Sequence, residues 1–268
     1  MSGDDLFRGR WALVTGASSG LGAEFARQLA ARGANVLLSA RSEGALDALG
    51  DELSARHGIL SRTLAEDLAR PGGADALVDR VRSLDLTVDH VVNNAGFGAG
   101  GAFTAVDVGR AAEMIRLNCE ALTVLTAGLL PPMVARGAGG FLQVASVAGF
   151  QPTPYLTVYG ATKAYVVSFT AGLAEELRGT GVRMCALCPG PVATGFQARA
   201  GIEIAPQQRA AVLSCEETVR RGLDAYARGD RECVPGVVNV LGGVAAKLLP
   251  RALVTRAAGD MMKSRGRS

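Results

Sequence analysis

The chain has 268 residues, a net charge of only +3 and 49% apolar residues. That is too apolar for a disordered chain, and its scattered cations form no track for a phosphate backbone, so nucleic acid is not an expected partner. Five cysteines and two histidines without ligand spacing argue against a disulfide framework or a bound metal.

Residues 1–11 lack the apolar core of a secretory leader, and the longest apolar stretch, 232–250, is interrupted by Gly, Pro, Asn and Lys. A soluble cytoplasmic protein is therefore expected. Short β-leaning runs then recur at 11–17, 35–40, 61–67, 88–95, 140–146 and 182–188, with a weaker one at 232–234. Several are continuously apolar, as strands of a parallel sheet covered on both faces are. Between them lie helical patterns, such as the stripe Leu21, Phe25, Leu29 and Ala30 that stops at Gly33. This alternation predicts an α/β fold, a doubly wound parallel sheet with helices on both faces. No composition break divides the chain, so one domain over 1–268 is expected. Cys185 and Cys188 form a CxxC, but a spacing of three along a strand points the two thiols to opposite faces.

The first predicted strand runs into TGASSGLG at 15–22. Gly16, Gly20 and Gly22, with Ser18, Ser19 and Leu21 among them, sit where a strand turns into a helix. Backbone N–H groups there are free to approach a pyrophosphate. The second strand ends in Ala40–Arg41–Ser42 instead of the Asp or Glu that would bind adenosine ribose hydroxyls. A guanidinium at Arg41 suits a 2′-phosphate, with Ser18 and Ser42 as further donors, so NADP(H) is expected in preference to NAD(H).

Three of the four tyrosines fall within 155–165, beside one of only three lysines. On a helix beginning near Tyr159, that residue and Lys163 share a face. Tyr165 points elsewhere and Tyr155 precedes the helix. An ammonium beside a phenol favours the phenolate, which would let Tyr159 exchange a proton near neutrality.

Taken in order, TGASSGLG (15–22), NNAG (93–96), the Asn of LNCEAL (117–122), Ser146, YGATK (159–163) and PGPVAT (189–194) resemble a short-chain dehydrogenase/reductase. The resemblance implies a Rossmann-like domain with a seven-stranded parallel sheet and hydride transfer between nicotinamide C4 and a carbonyl or alcohol carbon. It implies that Tyr159 is the proton donor, that Lys163 holds the nicotinamide ribose and favours the phenolate, and that Ser146 binds the substrate oxygen. Asn118 would fix a helix distortion and a water in the proton relay. Asn93 would stabilise the sheet and lie against the cofactor, with Ala95 and Gly96 approaching it closely. Asp67 and Leu68 would cap the adenine, and Pro189, Gly190, Val192 and Thr194 would cup the nicotinamide amide. The resemblance also implies a homodimer or homotetramer formed through the long helices near 107–136 and 157–179.

The segments after these motifs supply candidate pocket walls: Phe97, Phe150, Tyr155, Leu156, Phe196 and Ile202, with a lid expected near 195–213. They are mainly apolar, so the expected substrate is an apolar ketone or aldehyde reduced to an alcohol. An NAD(P)-linked alcohol oxidation and a non-catalytic NADP(H)-sensing regulator are the alternatives. The apolar tail 237–268 has three readings: cover for the pocket, subunit interface and, least favoured, membrane contact.

Overall fold

The computed structural model describes residues 5–193 and 211–263. Seven strands form one parallel sheet: β1 (Trp11–Thr15), β2 (Asn35–Ala40), β3 (Ser61–Ala65), β4 (Val88–Asn93), β5 (Gly139–Val144), β6 (Val182–Leu187) and the two-residue β7 (Glu232–Cys233). Their spatial order is β3-β2-β1-β4-β5-β6-β7. The order reverses between β1 and β4, leaving a crevice beyond the carboxyl ends of the strands.

Strand periodicity feeds two separate cores. Ala12, Val14, Val36 and Leu38 point to one face, where they pack with α1 (Gly20–Ala31), α2 (Glu43–His57) and α7 (Cys215–Arg228) through Phe25, Leu29, Leu46, Leu53, Val219 and Leu223. Leu13, Leu37, Val91, Phe141 and Met184 point to the other. There α3 (Gly73–Arg82), α5 (Leu122–Arg136) and α6 (Thr157–Glu176) contribute Leu77, Val81, Leu125, Leu129, Met133 and Ala174. Continuous apolar runs in the sequence are what a sheet buried on both faces requires. Cys185 joins the first core and Cys188 a third, smaller cluster with Leu122 and Val166, so the two thiols do part company.

Residues 108–136 are long and apolar enough to cross a membrane by composition alone, but Met114, Leu125, Leu129 and Met133 are buried within this fold. The stretch comprises α4 (Val108–Ile115), a π-helical turn over Arg116–Ala121, and α5. After β7 the chain continues as α8 (Val237–Leu248) and α9 (Arg251–Lys263), separated at Pro250. The predicted lid near 195–213 lies outside the described residues except at its end. There Ala211 is buried and Leu213 makes a parallel bridge to Val192.

Candidate active site

The crevice has a volume of about 1060 Å³ and is lined by the residues that follow six of the strands. The glycine loop forms one wall. Gly16 has φ +66°, a conformation that any larger residue adopts only with strain, and a Cβ at Gly22 would collide with the Gly16 carbonyl oxygen. This close approach presents backbone and the start of α1 to the crevice without intervening side chains. Ser19 sits at the N-cap and makes no side-chain capping bond. Such a cradle fits the pyrophosphate of a dinucleotide.

Ser18, Ser19, Gly20 and Leu21 line the crevice with Gly16, and beyond them lie Arg41, Asp67 and Leu68. Arg41 is exposed at the end of β2 and forms no ion pair among the described residues, so its guanidinium is available to an anion. Asp67 accepts a hydrogen bond from Ala69 N (2.9 Å). Ala95, Gly96 and Phe97 follow β4, and Pro189, Gly190 and Val192 follow β6, all on the crevice wall. Thr194, Phe196 and Ile202 lie outside the described residues.

Ser146, Tyr159 and Lys163 meet at the centre. Ser146 caps the short 3-10 turn Val147–Gly149, accepting from Ala148 N at 3.2 Å, while its hydroxyl donates to Pro189 O at 3.3 Å. It also hydrogen-bonds the Tyr159 side chain. Lys163 is buried, with Nζ donating to Val144 O (2.7 Å) and lying 5.8 Å from the centre of the Tyr159 ring.

The expected phenolate near neutrality does not emerge in this environment. Burial pushes the Tyr159 phenol up to about 12, outweighing the bond from Ser146, and pushes Lys163 down to about 8. Desolvation dominates the titration of this phenol. Tyr159 is thus held protonated, the state a proton donor needs.

Asn118 occupies the π-helical turn, as the expected helix distortion requires. Its Nδ2 donates to Phe97 O and Thr162 Oγ1, both at 3.0 Å, and its Oδ1 accepts from Phe97 N at 3.1 Å. Thr162 in turn donates to Tyr159 O at 2.7 Å. Asn118 therefore ties the loop after β4 to the helix that carries Tyr159.

Three sequence expectations need correction. Asn93 points into the core, bonding Thr126 Oγ1 at 3.3 Å, because alternation along β4 turns it away from the crevice. Its neighbour Asn94 lines the crevice and joins β4 to β1 through Thr15 O (2.9 Å). Phe150 packs in the cluster with Leu122 and Val166, its ring against Gly243 of α8, so it supports the crevice wall from behind. Tyr155 adopts φ +65° and turns onto an outer groove with Phe103, Arg251 and Arg256.

The tail supplies the far wall, as the first of its three readings expected, though the sequence named none of the residues. Gly242, Ala245, Ala246 and Leu249 from α8 and its end, with Val254, Ala257, Ala258 and Met262 from α9, close the crevice opposite Phe97, Thr153 and Leu156. Covering the pocket is thus one thing the tail does. Asn239 anchors it, donating to Pro235 O (2.8 Å) and Ala211 O (3.2 Å) beside Gly190. The run of Gly and Ala at 242–246 was the available signal, since small residues leave room at a wall.

Comparisons with known proteins agree with this arrangement. Residues 10–204 match the short chain dehydrogenase family. A very-long-chain 3-oxoacyl-CoA reductase of Phaeosphaeria nodorum is 37% identical over 183 residues, covering 66% of this chain and 53% of that protein. The chain thus spans about half the length of the curated relatives it matches. A short-chain dehydrogenase from Sphingobium yanoikuyae, solved in complex with NADPH, superposes with a TM-score of 0.80 at 33% identity, covering 89% of this chain and 94% of that one. The bulky-bulky ketone specific alcohol dehydrogenase from Comamonas testosteroni gives 0.75 at 27% identity, covering 91% and 96%. With the seven-stranded sheet, the glycine cradle and the Ser146–Tyr159–Lys163 centre in one crevice, the family match over most of its length makes this chain a member of the short-chain dehydrogenase family.

Proposed function

We propose that this protein is an NADPH-dependent reductase of an apolar ketone or aldehyde. The observation that carries the reading is the placement of the Ser146 and Tyr159 hydroxyls between a glycine cradle and a wall of Ala, Val, Leu and Met. The names of its relatives support it: a structural neighbour holds NADPH, and relatives act on a 3-oxoacyl thioester or on ketones with two bulky groups.

When bound in the glycine cradle, NADPH would supply the hydride that reduces the carbonyl carbon of the substrate. As negative charge grows on the carbonyl oxygen, Ser146 donates a hydrogen bond to it and Tyr159 transfers its phenolic proton. Lys163, held by Val144 O, sits beside the ring to stabilise the phenolate left behind. Asn118 fixes the loop and helix that set these distances. The apolar wall excludes water and accepts the flanking groups of the ketone. Arg41, on the crevice wall, would hold the 2′-phosphate that distinguishes NADP(H) from NAD(H). A phenol held above its usual range is protonated at neutral pH, the state from which it can give a proton to the reduced carbonyl oxygen.

The exposed Ile115 and Tyr165, the latter stacked on Phe169 at 5.8 Å, support a homo-oligomer face along α4 to α6. Light scattering of the purified protein tests that face.

The function is tested by following NADPH consumption with bulky ketones, aldehydes, steroids and 3-oxoacyl thioesters. Turnover of apolar members with NADPH, and a loss of NADPH over NADH preference of at least about tenfold in Arg41→Ala, are expected. Equal use of NADH by the unaltered protein would remove the cofactor assignment. Activity confined to polar sugars would remove the substrate class.

A further inference from the structure

The helix α8 is built inside out. The residues it turns to the body are small or polar: Asn239, Gly243 and Ala246. Val237, Leu241, Val244 and Leu248 recur at spacings of four, three and four on the opposite side, which is one helical face. Leu248 is 79% exposed and Val237 72%, and the exposed Leu249 and Leu253 carry the apolar surface onto α9. In a helix packed on a soluble core the large apolar residues face inward, as Phe25 and Leu29 do on α1.

Charge is distributed just as unevenly. Residues 237–268 hold six cations and one anion, a net +5, whereas residues 1–236 are net −2. Two of the three lysines of the chain lie in this segment. Arg251 and Arg256 are exposed and form no ion pair among the described residues.

We propose that α8 and the start of α9 bind the surface of an anionic lipid bilayer. The Val and Leu face enters the headgroup boundary, and the flanking cations meet the lipid phosphates. A bilayer supplies both an apolar layer and negative charge, the two properties for which this segment finds no partner among the described residues. A second copy of the chain supplies only the first, because its matching segment would carry the same excess of cations. The same segment lines the crevice through Ala245, Ala246 and Leu249, so the binding surface adjoins the substrate pocket. Composition alone ranked membrane contact last among the readings of the tail. The outward apolar face of α8 is the observation that raises it.

Flotation of the full chain with vesicles of phosphatidylcholine, alone or mixed with phosphatidylglycerol, tests the proposal. Partitioning at least about tenfold stronger onto the mixed vesicles, weakening as salt rises, is expected. The variant Leu241→Ser/Val244→Ser/Leu248→Ser is expected to lose at least about tenfold on both vesicles while keeping its melting temperature and NADPH binding. Arg251→Gln/Arg256→Gln is expected to lose the preference for the anionic lipid. If the triple variant fails to fold, the arginine pair and the salt series decide. Absence of partitioning overturns the proposal, as does binding indifferent to the tested substitutions and to salt. So does an oligomer, seen by light scattering, that the triple variant dissociates while no vesicle is bound; the face would then join copies of the chain.

Discussion

Each end of the sheet holds a tyrosine next to a basic side chain, Tyr226 buried and Tyr159 half-buried. At the amino end, Tyr226 of α7 hydrogen-bonds His90 Nδ1 at 2.8 Å, while His90 Nε2 meets Leu6 O at 3.1 Å. Phe7 packs against both rings. At the carboxyl end, Tyr159 lies by Ser146 and Lys163 on the wall of the crevice. Burial raises both phenols above their usual range and lowers both basic groups, His90 to about 4 and Lys163 to about 8. A perturbed titration therefore marks desolvation in both places and chemistry in only one. What separates them is access. The amino-end cluster is closed, and both ring nitrogens of its histidine have partners. The carboxyl-end pair lines a crevice into which a substrate oxygen fits.

Four variants sharpen that contrast, and the largest expected effect is at Ser146. Ser146→Ala is expected to lower kcat about 100-fold or more, since one donor to the developing oxyanion is removed, with a smaller change in KM. Steady-state kinetics with any substrate that is turned over will check it. A loss confined to KM would make Ser146 a binding group only.

The two basic groups should show themselves in the pH dependence of stability. Lys163 titrates lower in the folded state than unfolded, so the unfolded chain binds more protons between about pH 8 and 10.5 and stability rises with pH across that window. The full rise from this group is on the order of 3 kcal/mol. Lys163→Met removes the titration, so the advantage of the variant at neutral pH should shrink by that amount as pH is raised. Urea midpoints of the two proteins compared pH by pH give the difference.

His90 acts in the same sense at acid pH. Its contribution is intact above about pH 6.5 and is lost as pH falls towards 4, again on the order of 3 kcal/mol. His90→Phe should flatten acid unfolding in this range. An unchanged acid transition would mean that His90 is protonated without cost in the fold. Smallest is Tyr226→Phe, which should cost about 1–2 kcal/mol of stability by unpairing the imidazole, with turnover unchanged.

The sheet and its helices were legible because alternation along a strand and four-residue spacing along a helix are local properties. The glycine loop and the Tyr159–Lys163 pair were legible for the same reason. What the sequence did not show was direction. NNAG contains two asparagines, and only the register of β4 decides that Asn94, not Asn93, reaches the crevice. In the loop after Ser146, the left-handed backbone at Tyr155 sends that ring outward, and Phe150 is drawn into the cluster beneath α8. The balance between burial and charge at Tyr159 was equally hidden, because the desolvation of the phenol is set by tertiary packing that spacing cannot supply. The tail was only partly legible for a related reason. Its apolar residues were visible, but the face they occupy was set by Asn239 and Gly243 turning inward.

The most direct test replaces the two tyrosines in parallel. Turnover with NADPH and affinity for NADPH would be measured for Tyr159→Phe and Tyr226→Phe. The expected result is a loss of kcat of about 1000-fold in Tyr159→Phe, with its NADPH Kd within about twofold of the original, and no kinetic change in Tyr226→Phe. Retention of most turnover by Tyr159→Phe would contradict the account, because the proton would then come from elsewhere.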